Sequence, residues 1–196
     1  MKCPLDIEIR SGWGLKADAE RAAALMRERL GLCGTERLPA IAAAKDLGVR
    51  VLHPHQFRSM PEEVVHELEN GSASQWSAVF LQLPAPLKDL IVNNRKQSPE
   101  RQEANIFHEL GHYICKHEPD KIEVVAGFPI RQYSKAKEDQ ADAVGQALHL
   151  PKKALMKAKR TGLSDSEISS EYCASNELVR FRLNISGVMK ILSRSR

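Results

Sequence analysis

The residues of this chain best suited to chemistry are His108-Glu109-Leu110-Gly111-His112. On an α-helix successive residues turn by about 100°, so His108 and His112 lie about 40° apart on one face, one turn from each other. Two imidazoles at that spacing can take two corners of a zinc tetrahedron. Glu109 is offset by about 100°, which sets it beside a metal rather than on it. From there it can accept a proton from metal-bound water as a general base. The sequence holds its own control: His66-Glu67-Leu68-Glu69-Asn70 starts the same way but ends in Asn, so it cannot chelate. The competing explanation is a pair of ordinary core or surface histidines.

A catalytic zinc site needs a third protein ligand and one open position. A third His six residues beyond the second is absent, because position 118 is Glu. The candidate lies further on, in Glu138-Asp139-Gln140-Ala141-Asp142-Ala143-Val144-Gly145. Glu138, Ala141, Asp142 and Gly145 share one helical face, with two acids and two very small side chains. Small residues there, and Gly111 opposite, would let the two helices approach closely. Glu138 becomes the third ligand, and Asp142 can accept a hydrogen bond from a ligand histidine and set its tautomer. The alternative is a solvated acidic face. Cys115 is read as a small buried residue before a thiol ligand, and His117 as pointing about 140° away from His112. His149 lies roughly 16 Å along the helix from Glu138, too far to join the site. Tyr113 and Tyr133 are possible oxyanion donors that the sequence does not place.

The elements that must carry these residues can be sketched. Helices are expected over Lys16–Leu30 and Pro39–Leu47, stopped by Gly31 and Gly48. Val49 to His53 alternates like a short strand, and a helix starts near Pro61. Asn70 to Ser74 reads as a loop, and Trp76–Leu83 and Leu87–Val92 as strands of a small antiparallel meander. Ser98 and Pro99 open the metal helix, which runs to about Lys116. Pro119, Gly127 and Pro129 mark a loop region, Ala136 to His149 a helix ended at Leu150-Pro151, and 152–196 several short helices. The expected fold class is α+β, mainly helical, with a small antiparallel sheet of about three strands. One domain spans 1–196: N-terminal helices and strand in 1–56, sheet and site helices in 57–151, a helical region in 152–196.

Composition sets the frame. A hydrophobic fraction of 42% with 28% charged residues describes a globular chain. No apolar run approaches the roughly 20 residues of a membrane span, and residues 1–6 lack a signal-peptide core. Cys3, Cys33, Cys115 and Cys173 form no CxxC pair, so neither a disulfide framework nor a cysteine zinc cage is expected, and the cytoplasm is the expected compartment. The net charge of +4 is uneven: residues 152–196 carry +6 and the rest −2.

Taken together, Ile91-Val92-Asn93, the HELGHY segment from His108, Glu138-x-x-Ala141-Asp142 and Leu150-Pro151 resemble the ImmA/IrrE family of bacterial metallopeptidases. Tyr172-Cys173-Ala174-Ser175, Leu178-Val179-x-x-Arg182-Leu183 and Gly187 extend the likeness through the tail. The resemblance implies a zincin-like core of the gluzincin type, zinc on His108, His112 and Glu138, and catalysis by Glu109. It also implies a substrate class: a helix-turn-helix repressor of the phage or stress-response type. Gln140, Val144-Gly145 and His149 depart from residues frequent in the family, and none of them removes a ligand.

The expected activity is thus zinc-dependent endopeptidase, with no membrane partner; the sequence does not set the oligomeric state. A DNA-binding regulator is the first rival, since residues 168–187 have helix-turn-helix rhythm in a basic tail. The helix pair 16–48 carries 6 basic and 5 acidic residues, without the electrostatic footprint of a DNA reader, and direct nucleic-acid binding is not expected. A repressor-sequestering protein is the second rival, against which the intact Glu109 speaks. A structural zinc site is the third, disfavoured because three ligands leave a position open.

Overall fold

The computed structural model describes residues 5–71, 76–83, 86–125 and 128–194. Helices α1 (Leu15–Arg29) and α2 (Ala40–Asp46) are followed by strand β1 (Arg50–Leu52), a 3-10 turn (Pro54–Gln56) and α3 (Glu62–Asn70). Then come β2 (Ala78–Leu81), β3 (Leu90–Asn93), α4 (Pro99–Cys115), β4 (Lys121–Val125), β5 (Phe128–Gln132) and α5 (Lys135–His149). Four helices close the chain: α6 (Lys152–Arg160), α7 (Asp165–Tyr172), α8 (Asn176–Ile185) and α9 (Val188–Arg194). The fold is α+β and mainly helical. Cys3 and residues 72–74 of the expected loop lie outside the described residues, and Cys33, Cys115 and Cys173 form no disulfide with one another.

The three-stranded sheet is mixed rather than wholly antiparallel, in the order β1-β3-β2. β2 and β3 pair antiparallel, Phe80 opposite Ile91, as neighbouring strands tend to do. β1 instead pairs parallel to β3, Val51 opposite Ile91. The stretch between β1 and β2 contains α3, and that helix carries the chain across to the far edge, leaving the centre to β3. The expected loop around Pro119 and Pro129 is also corrected. Most of it is a second, two-stranded sheet, β4 antiparallel to β5, with Val125 opposite Phe128. Both strands of such a ribbon are edges, where a strand tolerates proline.

α1, α2, the first sheet, α4 and α5 share one core that includes Met26, Leu38, Ile91, Phe107, Leu110 and Leu148, all nearly inaccessible to water. A second cluster, with Leu155, Ile168, Tyr172 and Val179, holds α6 to α9 together. Buried polar groups join the two. Glu20 of α1 accepts from the Lys152 N–H at 2.8 Å and pairs with Arg182. Arg182 donates to the Leu150 carbonyl at 3.0 and 2.9 Å, and Arg27 donates to that of Leu148 at 2.9 Å. Two guanidinium groups therefore satisfy carbonyls at the end of α5, where the helix dipole favours positive charge. Burial pulls the pKa of Arg27 down to about 10, still well above neutrality. The Glu69 of the control segment serves the fold: buried, it meets Arg95 in two 2.8 Å hydrogen bonds.

His149, the family departure at the end of α5, is 1% exposed. Its Nε2 lies 3.1 Å from the carbonyls of Tyr172 and Cys173, which only accept, so Nε2 carries a hydrogen. Burial drives its pKa down to about 4. Between about pH 4 and pH 6.5 the unfolded chain binds a proton here that the folded chain refuses, so stability present above pH 6.5 is lost on acidification. The full effect is about 3 kcal/mol, of which about 2 appears between pH 7 and pH 5. Urea unfolding at those two pH values should show a loss smaller by about that amount in His149→Leu than in the native chain. Equal losses in both would remove His149 from the account.

Candidate metal centre

The site depends on how α4 and α5 start and where they cross. Ser98 accepts from the Arg101 N–H and Pro99 occupies the first turn, which launches α4. The start of α5 is tied to the base of the β4–β5 ribbon. The Asp120 carboxylate accepts from the Ser134 N–H and from the Lys137 ammonium, both at 2.7 Å, and Lys137 also donates to the Glu118 carbonyl. These contacts hold the first turn of α5, which bears Glu138. Further along, Gly111 and Gly145 face the other helix's backbone. A Cβ on Gly111 would run into the Ala141 carbonyl, and one on Gly145 would sit 2.6 Å from the Phe107 carbonyl oxygen. Glycine at both positions permits a spacing that no other residue would.

That approach brings His108, His112 and Glu138 together. The two Nε2 atoms are 3.2 Å apart, and Glu138 Oε2 lies 3.3 Å from that of His108 and 3.5 Å from that of His112. A tetrahedral zinc with ligand distances of about 2.0–2.1 Å has edges 1.63 times longer, about 3.3–3.4 Å. Three electron-pair donors this close repel one another unless a shared proton or a metal cation lies between them, and the triangle has the size for zinc. Asp142 Oδ1 lies 2.9 Å from His108 Nδ1. A carboxylate accepts, so His108 keeps its hydrogen on Nδ1 and turns its Nε2 lone pair to the triangle.

The electrostatics divide the roles. Burial drives the His112 pKa down to about 3, with the neighbouring His108 and His117 adding to it, so this imidazole is neutral over the physiological range. Burial also opposes charge on His108, yet the hydrogen bond to Asp142 and the charges of Glu109, Asp142 and Glu138 outweigh it, and its pKa ends above the ordinary value. Glu109 is pushed up to about 7, first by burial and then by Glu138, against the opposing pull of His108 and Arg131. A carboxyl with a pKa near neutrality can both take and return a proton.

Some residues stand apart from their sequence reading. His117 lies beyond the helix, not on it. Lys116 adopts the left-handed conformation (φ 57°), the Lys116 N–H bonds to the Tyr113 carbonyl and the His117 N–H to that of His112. This Schellman ending folds His117 back, so the helical angle of about 140° did not apply. Its Nδ1 lies 2.9 Å from His112 Nδ1 and its Nε2 3.2 Å from Gln140 Oε1. Burial lowers the pKa of His117. Tyr133 stacks on His112, ring centroids 4.0 Å apart, whereas Tyr113 packs on Phe80. Arg131, which the sequence reading passed over, lies close enough to depress the pKa of Glu109 and His112, and only the unforeseen β5 brings it there. Cys115 packs against the core, and His149 belongs to no metal group among the described residues.

A cleft of about 1020 Å³ is lined by Glu109 and Asp142, by Ala78 of β2 and by Leu178 and Phe181 of α8. An α+β chain with two histidines of one helix and a glutamate of its neighbour grouped beside an open cleft, which His108 and Glu109 line, has the makings of a metal-dependent hydrolase. The chain belongs to the IrrE N-terminal-like domain family of metallopeptidases, whose pattern matches residues 44–184. Neither curated proteins nor solved structures provide a match. No helix among the described residues is long and apolar enough to cross a membrane.

Proposed function

We propose that this chain is a zinc-dependent endopeptidase that cuts a helix-turn-helix repressor, with His108, His112 and Glu138 as ligands and Glu109 as general base. The observation that carries the reading is the triangle of two Nε2 atoms and one carboxylate oxygen, 3.2 to 3.5 Å on a side, beside a glutamate whose pKa is near 7. Two nitrogens and an oxygen at tetrahedral spacing suit zinc. When bound, zinc supplies Lewis acidity, lowering the pKa of a coordinated water from about 15.7 towards 7 and polarising a carbonyl. Glu109 accepts the proton of the attacking water and passes it to the leaving amine. Asp142 keeps His108 turned towards the ligand triangle. β2 is an edge strand at the rim of the cleft, where an extended substrate segment can pair with its free side.

The repressor as substrate rests on the likeness to ImmA/IrrE peptidases. The rival DNA-binding reading loses support from the charges of α8, although the tail as a whole is basic. Helices α7 and α8 do form a helix-turn-helix pair, but Arg182 of α8 is buried on Glu20 and Leu150. The exposed face of α8 carries Glu177 and Arg180, which offset each other, and Phe181. Such a face lacks the phosphate contacts from which DNA affinity is built.

The test is co-expression with the repressor encoded beside the gene. The native chain should yield a shortened repressor. Glu138→Ala should leave the repressor intact and cut zinc content to a small fraction of one per chain, since two histidines alone hold zinc poorly. An intact repressor with both would sink the substrate assignment, and cleavage by Glu138→Ala would sink the site.

A further inference from the structure

We propose that His117 and Gln140 form a positioning relay that fixes the tautomer of His112, anchored on the backbone carbonyl of Ile9; the relay deepens the metallopeptidase reading and rests on it. The direction follows from the fixed end. A carbonyl oxygen only accepts, and Gln140 Nε2 lies 3.2 Å from the Ile9 oxygen, so the amide nitrogen faces Ile9 and Oε1 faces His117. Oε1 also only accepts, so His117 Nε2, 3.2 Å away, carries the hydrogen. A neutral His117 then has a bare lone pair on Nδ1. At 2.9 Å from it, His112 Nδ1 must donate, which leaves the lone pair of His112 on Nε2, the atom that faces His108 and Glu138. With a single hydrogen on His117, each junction has one solution once the previous one is set.

The two ligand histidines are thus oriented by different means. His108 is held by a half-exposed carboxylate, Asp142. His112 is held by a neutral chain running through the protein to residue 9, with no charge at any link. Lys116 in its left-handed conformation is what makes the relay reachable, since it turns His117 under the end of α4. Non-glycine residues adopt that conformation at a cost, and Lys116 adopts it immediately before His117. The polarity of Gln140 matters as well: a carboxylate in its place would set two acceptors, its oxygen and the Ile9 carbonyl, against each other.

The experiment compares the full-length native chain with His117→Leu, His117→Asn and Gln140→Leu. Long-range proton–nitrogen spectra of the imidazoles report which nitrogen of His112 carries hydrogen. Zinc affinity is read separately by competition with a chelator. In the native metal-free chain His112 should carry its hydrogen on Nδ1 and His117 on Nε2. His117→Leu should mix the two His112 tautomers and weaken zinc about 10- to 100-fold, the usual cost of losing a partner behind a ligand. His117→Asn, whose side-chain oxygen can stand near the lost Nδ1, should recover most of the affinity. Gln140→Leu, which leaves His117 in place but frees its direction, should fall between, and it serves if His117→Leu does not fold. A native His112 with hydrogen on Nε2, or an unmixed tautomer in a folded His117→Leu, would overturn the relay. The tautomers decide the relay whether or not zinc binds; a native chain that binds no zinc counts against the metallopeptidase reading alone.

Discussion

Glu109→Gln should stop peptide hydrolysis while leaving the zinc site loaded. The amide matches the carboxyl in shape and takes no part in the group proposed to hold zinc, His108, His112 and Glu138. What it cannot do is accept a proton. General-base catalysis contributes on the order of 10²- to 10⁴-fold, and in the proposed mechanism the same group also returns the proton to the leaving amine, so a loss at the upper end is expected. The variant should at the same time be more stable than the native chain when both are metal-free. In the fold the Glu109 pKa is raised from 4.5 to about 7, so above pH 7 the native state bears a buried charge that the unfolded state carries freely. A neutral amide relieves that cost, a trade of stability for function often found at active sites. Single-turnover cleavage, zinc content and thermal unfolding measured on one preparation test all three statements. A Glu109→Gln protein that cleaves within tenfold of the native rate would remove Glu109 from the chemistry.

Much of the centre could be read from spacing because it sits on two regular helices. The period of the helix alone puts His108 above His112, and puts Glu138, Ala141, Asp142 and Gly145 on one face. In the structure these faces meet, and Gly111 and Gly145 lie at the crossing where the sequence pattern suggested contact. What escaped was everything governed by departures from regular geometry. His117 was placed by continuing the helix through Lys116, whereas one left-handed residue reverses the chain there. The ribbon carrying Arg131 was hidden by Pro129, a residue that argues against a strand unless the strand is an edge. The parallel pairing of β1 with β3 depends on where α3 carries the chain, a global property with no local signal. Gln140 stood out in the sequence only as an amide where an acid is frequent. Its role needs the Ile9 carbonyl, distant in sequence and adjacent in space.

Gly111→Ala, and more so the double change with Gly145→Ala, should weaken both the fold and the metal site. Two effects of opposite sign compete. In a helix interior Ala is favoured over Gly by about 1 kcal/mol, so propensity alone predicts a more stable protein. Against this, the new Cβ on Gly111 would collide with the Ala141 carbonyl oxygen and sit 2.9 Å from its carbon. The obstacle is helical backbone, which cannot rotate aside as a side chain would, so α4 and α5 must move apart. Overpacking of this kind costs about 1–3 kcal/mol, enough to cancel the propensity gain and reverse it. The same movement reaches the ligands, because two come from α4 and one from α5. Separation lengthens the 3.3 and 3.5 Å edges to Glu138 while the 3.2 Å edge between the histidines, both on α4, stays as it is. Zinc should therefore bind more weakly and keep its two histidine ligands, a pattern that X-ray absorption on the loaded variant distinguishes from general unfolding. Urea unfolding supplies the other half: a Gly111→Ala chain about 1 kcal/mol more stable than native would mean that propensity wins and that the helices do not need their present spacing.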